Sequence, residues 1–292
     1  VWSGSRVDND IPGGYKHLPE IRKLLLEERY RQAGQLTKKH FSSREKPVMG
    51  KGVGTFGRYQ TLGKLHLQFD DIAGAVTDYR RMLDLESGLG WVGYQRGKSS
   101  YTREHFVSAP DEVFVSRITG PVAFTVSMDR PERFETTAVN DRELLMTGRL
   151  NDGKGNDALR YVGRLRVVGG SVKAVGNTLH VAAEDEVMLI FAAATDYRGM
   201  AGRQLSDPLA ATIADLDQVE DKTFAQLRAA QKADHEQWFN RVTLSLPETD
   251  NSRLATDQRL AAYRGGAADP ALSALFANFG RYLVIGSSRP GG

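Results

Sequence analysis

A mainly β fold, a large antiparallel β-sandwich followed by a helical region, is predicted by three features of the sequence. Between Leu62 and Ala194 apolar residues recur with a period near two, in short segments separated by polar turns. Thirty glycines punctuate the chain. After Asp207 the period changes to three and four in Ala-, Leu- and Arg-rich sequence, which is the spacing of a helix with one apolar stripe. A chain of 292 residues with 40% apolar content can bury a sizeable core and divide into more than one domain.

The elements follow in order. LPEIRKLLLEERYRQAGQLTKKHF places Ile21, Leu24, Leu25, Ala33 and Leu36 near helical spacing, with acids early and bases late, and predicts an amphipathic helix or a pair of helices. GKGVGTFG, from Gly50 to Gly57, breaks that pattern, and Leu62, Leu65, Leu67 and Phe69 open the strand region. Strands are predicted over Tyr79 to Leu85, Gly90 to Gln95, Ser99 to Ser108, Val113 to Ile118 and Val122 to Met128, with further ones up to Tyr197. In the last of the five, Phe124, Val126 and Met128 alternate with Thr125 and Ser127, so one face is buried. Turns fall at Gly97, Asp152 to Gly155, Gly169 with Gly170, and Gly176 with Asn177. Many short strands at close intervals favour an antiparallel sandwich. Helical sequence runs from Pro208 to Val242, and Val242 to Leu246 is predicted as one returning strand. The last helix starts with Asp269 as N-cap and Pro270 at the first helical position, and Leu272, Leu275, Phe276, Phe279, Tyr282 and Leu283 form its stripe.

Charge and composition exclude several classes. A net charge of +3 from 39 basic and 36 acidic residues is close to balance, and the short basic clusters, Lys38, Lys39 and His40 or Arg80 and Arg81, are interleaved with acids, so no nucleic-acid partner is predicted. Without cysteine there is neither a disulfide framework nor a thiolate metal site. The longest apolar run, Val187 to Ala194, has the length of a buried strand and falls far short of the ~20 residues that span a bilayer, so no membrane partner is predicted.

Each chemical motif has a plainer reading. The three glycines Gly50, Gly52 and Gly54 lack both the Lys-Ser/Thr of a phosphate loop and the strand before and helix after that a dinucleotide site needs, so a surface loop is predicted. His17, His40, His66, His105, His180 and His235 show no pair at i, i+3 or i, i+4, and no metal or other cofactor is predicted. His66 and His180 are expected as hydrogen-bonded strand histidines. There is no G-x-S-x-G elbow for a serine nucleophile. The acids Asp70 with Asp71 and Asp84 with Glu86 fall at strand ends and read as solvated turn residues. Trp2, Trp91, Trp238, Tyr59, Tyr94 and Tyr101 could stack on a sugar or pack in the core, and Trp238, in DHEQWFNRV, is read as packing.

Nine ordered segments carry a family resemblance: VWSG (1–4), LPEIRKLLLE (18–27), YQTLGKLHL (59–67), TDYRRMLDL (77–85), YTREHFVSAPDEVFVSRIT (101–119), FTVSMDRPER (124–133), DHEQWFNRVTLSL (234–246), TDQRLAAYRGGAADPAL (256–272) and FGRYLVIGSSRPG (279–291). Together they resemble the N-terminal part of glycoside hydrolase family 95, the α-L-fucosidases. Thr61 stands where proline is common in the family and Lys64 where an acid is common, both in a scaffold strand.

The resemblance implies a supersandwich over residues 1–206 with a helical insertion at about 18–41, a helical linker with one returning strand over 207–268, and over 269–292 the first helix of an α/α-barrel catalytic domain. It implies that the chain is truncated at both ends. The catalytic residues, a glutamic acid, asparagines and an aspartate acting with inversion, are then expected beyond Gly292, and no catalytic residue is assigned here. The expected partners are a fucosylated oligosaccharide or glycan and the protein's own catalytic barrel, and family resemblance favours a secreted or periplasmic location. Arg281, Tyr282, Ser288 and Arg289 end the last helix beside the expected barrel and are the candidates for approaching the sugar. The fragment alone is predicted inactive, and its last helix is predicted to expose a sticky face and cause self-association. Two alternatives stay open: a non-catalytic carbohydrate-binding or scaffold module, and an α-L-galactosidase of the same family.

Overall fold

Residues 11–41, 60–70, 74–151, 157–198, 203, 205 and 207–289 are described by the computed structural model. Trp2 with the VWSG segment, the glycine-rich stretch 50–57, Tyr59, Asp71 and the turn predicted at 152–155 lie outside them. The chain divides into two units, residues 1–61 with 149–159, and residues 62–148 with 160–292.

In the first unit, a single 3-10 turn (Gly14–His17) leads into α1 (Leu18–Leu26) and α2 (Tyr30–His40), so the helical segment is a pair. Glu28 takes a left-handed φ of 56°, which a helix interior does not allow, and the chain reverses there. Ile21, Leu24 and Ala33 bury against one another with Leu36 beside them, while Leu25, on the same periodicity, stays exposed. The His17 and His40 rings stack with centroids 3.5 Å apart.

The strands are β1 (Lys64–Phe69), β2 (Val76–Asp84), β3 (Leu89–Arg96), β4 (Ser99–Ser108), β5 (Val113–Thr119), β6 (Val122–Asp129), β7 (Phe134–Asn140), β8 (Glu143–Asn151), β9 (Asp157–Val168), β10 (Ser171–Val175), β11 (Thr178–Ala183) and β12 (Glu186–Thr195). They form a four-stranded sheet, β1-β6-β11-β10, and an eight-stranded sheet, β2-β3-β4-β5-β12-β9-β8-β7. This is the predicted antiparallel sandwich. The apolar run Val187–Ala194 is β12, central in the large sheet, where both faces are covered and alternation is lost.

Each face of the large sheet has its own cover. Along β4, Phe106 points to one side and Arg103 and His105 to the other, as the two-residue period requires. On the first side Leu89, Phe106, Val113, Val115, Ile190 and Ala192 pack with Leu216, Val219, Phe224 and Leu227. The last four come from α3 (Pro208–Asp217), α4 (Phe224–Phe239) and the turn between them. Both helices begin where side chains satisfy their free amides: Asp207 accepts from Leu209 N at 2.9 Å, and Thr223 with Gln226 forms a capping box. Polar ties add to the apolar contact. Glu143 accepts from Arg164 and Arg166 (2.5 and 2.7 Å), and Arg166 continues to Asp217 at 2.9 Å. Lys222 donates to Asp111 at 2.6 Å.

After α4 the structure departs from expectation. Residues 242–246 form no strand, and Val242, Leu244 and Leu246 are exposed. No neighbouring strand pairs with this segment among the described residues, and it is held by Asn278, whose side-chain amide donates to Leu244 O at 3.2 Å. Two helices close the chain, α5 (Thr256–Arg264) and α6 (Pro270–Ser287). Asp269 caps α6 as predicted, accepting from Leu272 N at 3.1 Å. The same carboxylate receives two bonds from Arg259 (2.8 and 2.9 Å), a bidentate pair that ties α5 to the start of α6.

Candidate functional site

The four candidate residues converge on the seam between α4 and α6. Arg281 donates to Phe239 O and to Asn278 Oδ1, and its guanidinium lies 4.6 Å from the Phe239 ring centroid. Tyr282 sits with its ring 5.8 Å from His235 and 6.2 Å from Phe279. Arg289 pairs with Asp234. Ser288 is exposed at the C-cap of α6, its hydroxyl 3.5 Å from that of Ser287. Three of the four therefore hold α6 on α4, and the side-chain bond shown for Ser288 is to its neighbour Ser287.

The seam continues into the sheet through residues whose role the sequence did not reveal. His235, buried on α4, donates from Nε2 to Leu85 O at 2.9 Å, because a carbonyl can only accept. Gln231, one turn earlier, donates to Ser87 O at 2.9 Å. The turn they grip carries Gly88 at φ +66°, where a Cβ would stand 3.0 Å from the Gln231 amide nitrogen and 3.3 Å from His235 Nδ1. The turn is further organised by Asp84. Burial works against its charge, yet hydrogen bonds from the Ser87 hydroxyl and from the amides of Ser87 and Glu86 outweigh that and hold its carboxyl below the usual range. The signal in the sequence was Ser87-Gly88 after the strand, a turn signature that says nothing of the helix closing on it.

Three carboxylates on α4 and at the start of α6 are paired with cations. Asp234 has Arg289, Glu236 has Lys232 at 3.4 Å, and Asp269 has Arg259. Hydrogen bonds from Arg259 pull the Asp269 carboxyl below its ordinary range, and so work against the protonated form that a general acid needs. Among the described residues no group of three His, Cys, Asp or Glu is placed to hold a metal ion.

The aromatic candidates are separated. Tyr94 and Tyr101 stack across β3 and β4 at 5.0 Å with Tyr101 buried, which is sheet packing. Trp91 folds over Gly93 of its own strand. Trp238 lies under the Arg241 guanidinium, 4.2 Å from it, and buries its indole nitrogen without an acceptor among the described residues. His66, on β1, bonds Asp129 at 3.0 Å, as expected of a strand histidine.

The fold is a two-sheet sandwich whose large sheet carries helices on one face, with an α-helical continuation, and its class is given by the family matches. Residues 1–200 match the glycosyl hydrolase family 65 N-terminal domain, and residues 223–292 match the glycosyl hydrolase family 95 catalytic domain. The chain belongs to the glycosyl hydrolases that carry a family 65 N-terminal domain, and the match over residues 223–292 together with its α-fucosidase relatives fits glycosyl hydrolase family 95. It is 30% identical to "Alpha-L-fucosidase 2" of Arabidopsis thaliana, over 100% of this chain and 37% of that protein. It is 26% identical to "Probable alpha-fucosidase A" of Aspergillus niger, over 81% of this chain and 32% of that protein, and 24% identical to the protein of the same name from Aspergillus oryzae, over 80% and 35%. The chain thus spans between 32% and 37% of the length of the curated relatives it matches.

Proposed function

We propose that the chain is the N-terminal part of a glycoside hydrolase that removes terminal α-1,2-linked L-fucose from glycans with inversion of configuration, its acid and base lying outside this chain. The observation that carries the reading is the alignment with an α-L-fucosidase along the whole chain, joined to the family 95 catalytic-domain match over residues 223–292. The carboxylates of the α4–α6 region support the second half of the proposal. An inverting hydrolase needs an uncommitted acid and base about 6.5–9.5 Å apart on either side of the scissile bond, and Asp234, Glu236 and Asp269 are each neutralised by a cation.

In this reading residues 1–206 are the sandwich domain, 207–268 the linker and 269–292 the first helix of the barrel. The exposed side of α6 faces the rest of the catalytic domain. Arg281 and Arg289 act as positioning residues that fix α6 on α4, while Tyr282 and Ser288 are the closer approaches to sugar.

The test is proton NMR of the hydrolysis of an α-1,2-fucosylated trisaccharide, once by this chain and once by a protein in which it precedes a family 95 catalytic domain. The longer protein is expected to release β-L-fucose first, as inversion demands, and this chain to release none. Release of α-L-fucose first would refute the inverting mechanism, and turnover by this chain would refute the placement of the acid and base.

A further inference from the structure

The inner faces of the two sheets enclose a cavity of about 460 Å³, within the ~300–1,000 Å³ usual for small-molecule sites. Its walls are apolar: Leu65 and Leu67 from β1, Met128 from β6, Met146 from β8, and Leu189 and Phe191 from β12. Three polar side chains open into it from one sheet. Arg103 and His105 stand two residues apart on β4 and so share a face, and Ser116 on β5 is the cross-strand partner of His105. Gly90, on the strand flanking β4, leaves the room: a Cβ there would lie 2.9 Å from the His105 ring.

All three groups can donate, and among the described residues none of their side chains has an acceptor. The Arg103 guanidinium rests 4.1 Å from the Phe69 ring centroid with no carboxylate beside it. Burial, with Arg103 next in effect, lowers the pKa of His105, so near neutral pH the imidazole is uncharged and offers one N–H. Glu104, the nearest acid in sequence, faces the opposite side of the sheet, where Arg117 and Arg228 take it. Among the described residues the one other charged group lining the cavity is Lys64, also a cation. Unpaired donors in an apolar enclosure are costly, and an acceptor entering the cavity relieves that cost.

The apolar walls and single polar cluster specify the occupant. A monosaccharide would bring hydroxyls on every side and leave most of them without partners against leucine, methionine and phenylalanine. A cation would meet Arg103 and Lys64. We propose that the sandwich cavity binds a small amphipathic carboxylate, its head group held by Arg103, His105 and Ser116 and its aliphatic or aromatic body lodged between the sheets. The site is independent of the glycosidase reading, since it involves no residue of the α4–α6 seam.

Isothermal titration of the 292-residue chain with octanoate tests this, with 1-octanol and L-fucose as comparators and circular dichroism to confirm that each variant is folded. Saturable one-to-one binding of octanoate is expected, at least tenfold weaker for 1-octanol and for Arg103→Met, and about threefold weaker for Ser116→Ala. Should Arg103→Met fail to fold, Ser116→Ala and the octanol comparison decide. Absence of saturable octanoate binding, equal affinity for octanol, or displacement of octanoate by L-fucose would each overturn the proposal.

Discussion

Helices α4 and α6 lie side by side and are built on opposite terms. On α4 the residues that recur on one face, Phe224, Leu227, Gln231 and His235, are all buried, and the helix is fixed to the large sheet by apolar contact and by hydrogen bonds to Leu85 O and Ser87 O. Helix α6 carries the more continuous apolar sequence, yet Ala274 is its one buried residue, and Phe276 is 78% exposed and Val284 60%. What holds α6 in place is largely polar, Asp269 to Arg259, Arg281 on Phe239 O and Arg289 on Asp234, with the Tyr282 ring beside His235. Burial is therefore set by the neighbour a face meets and not by its apolar content. In α4 the neighbour is the sandwich, and in α6 the largest apolar side chains meet none.

The largest effect expected is on the α4 side. Leu227→Ala removes a fully buried side chain from the cluster between helix and sheet, and should cost about 4 kcal/mol, within the range of ~2–5 seen for such cavities. Denaturant titration with an unchanged m-value would measure it. A loss below about 1 kcal/mol would mean that the helices do not share a core with the sheet, and the contrast with α6 would collapse.

Next comes the ion-pair cluster under α3. Glu143 is nearly enclosed and pairs with Arg164 and Arg166, so Glu143→Gln leaves Arg164 without its charge partner and Arg166 with Asp217 alone. A cost of about 3 kcal/mol is expected, since removing one member of a buried pair strands the other. Adding Arg166→Leu to that variant should recover part of the loss. If the double variant is worse by the sum of both changes, the cluster is not acting as a unit.

How much of this was legible in the sequence follows the same contrast. Strand β4 was readable to the residue and β5 and β6 to within one residue, because their alternation and their turns are local properties. The cap of α6 was readable from Asp269-Pro270 for the same reason. The segment 242–246 was misread, because Val242, Leu244 and Leu246 alternate as a strand would while pairing depends on a partner elsewhere. Helix α5 was not separated from the linker, since TDQRLAAYR shows no clear stripe and Arg259, its buried residue, is charged. The grip of His235 on Leu85 joins positions 150 residues apart and leaves no trace in either local pattern. Of the candidate residues, Arg281 and Tyr282 lie on the last helix as read from the sequence, Ser288 and Arg289 fall just past its end, and the partners on α4 were not legible.

On α6, Phe276→Ser should change global stability by no more than about 0.5 kcal/mol, because the side chain is already in water. Its effect should appear in association. Static light scattering of the chain is expected to show concentration-dependent oligomers that Phe276→Ser with Val284→Ser reduces toward the monomer mass. A monomeric parent chain would remove the predicted sticky face, and strong destabilisation by Phe276→Ser would show that α6 is packed after all.

A further prediction concerns Asp269→Asn, and it sharpens the comparison by separating two things the carboxylate does for α6. Asparagine caps a helix about as well as aspartate, so the bond to Leu272 N survives, while the charge opposite Arg259 and the bond that Oδ2 accepts from Arg259 Nε are lost. Arg259 lowers the Asp269 carboxyl below its ordinary value of about 3.9, so the ionised form is favoured by folding. That contribution is present in full above the unfolded value and is lost as pH falls through the lower folded one. The parent should therefore exceed the variant in protection of the first α6 amides at neutral pH, with the gap constant down to about pH 4 and closing below it. Hydrogen exchange read at residues 272–276 across that window would show it. A gap that persisted unchanged in acid would assign the difference to capping geometry, and α6 would then depend on its own first turn and not on its tie to α5.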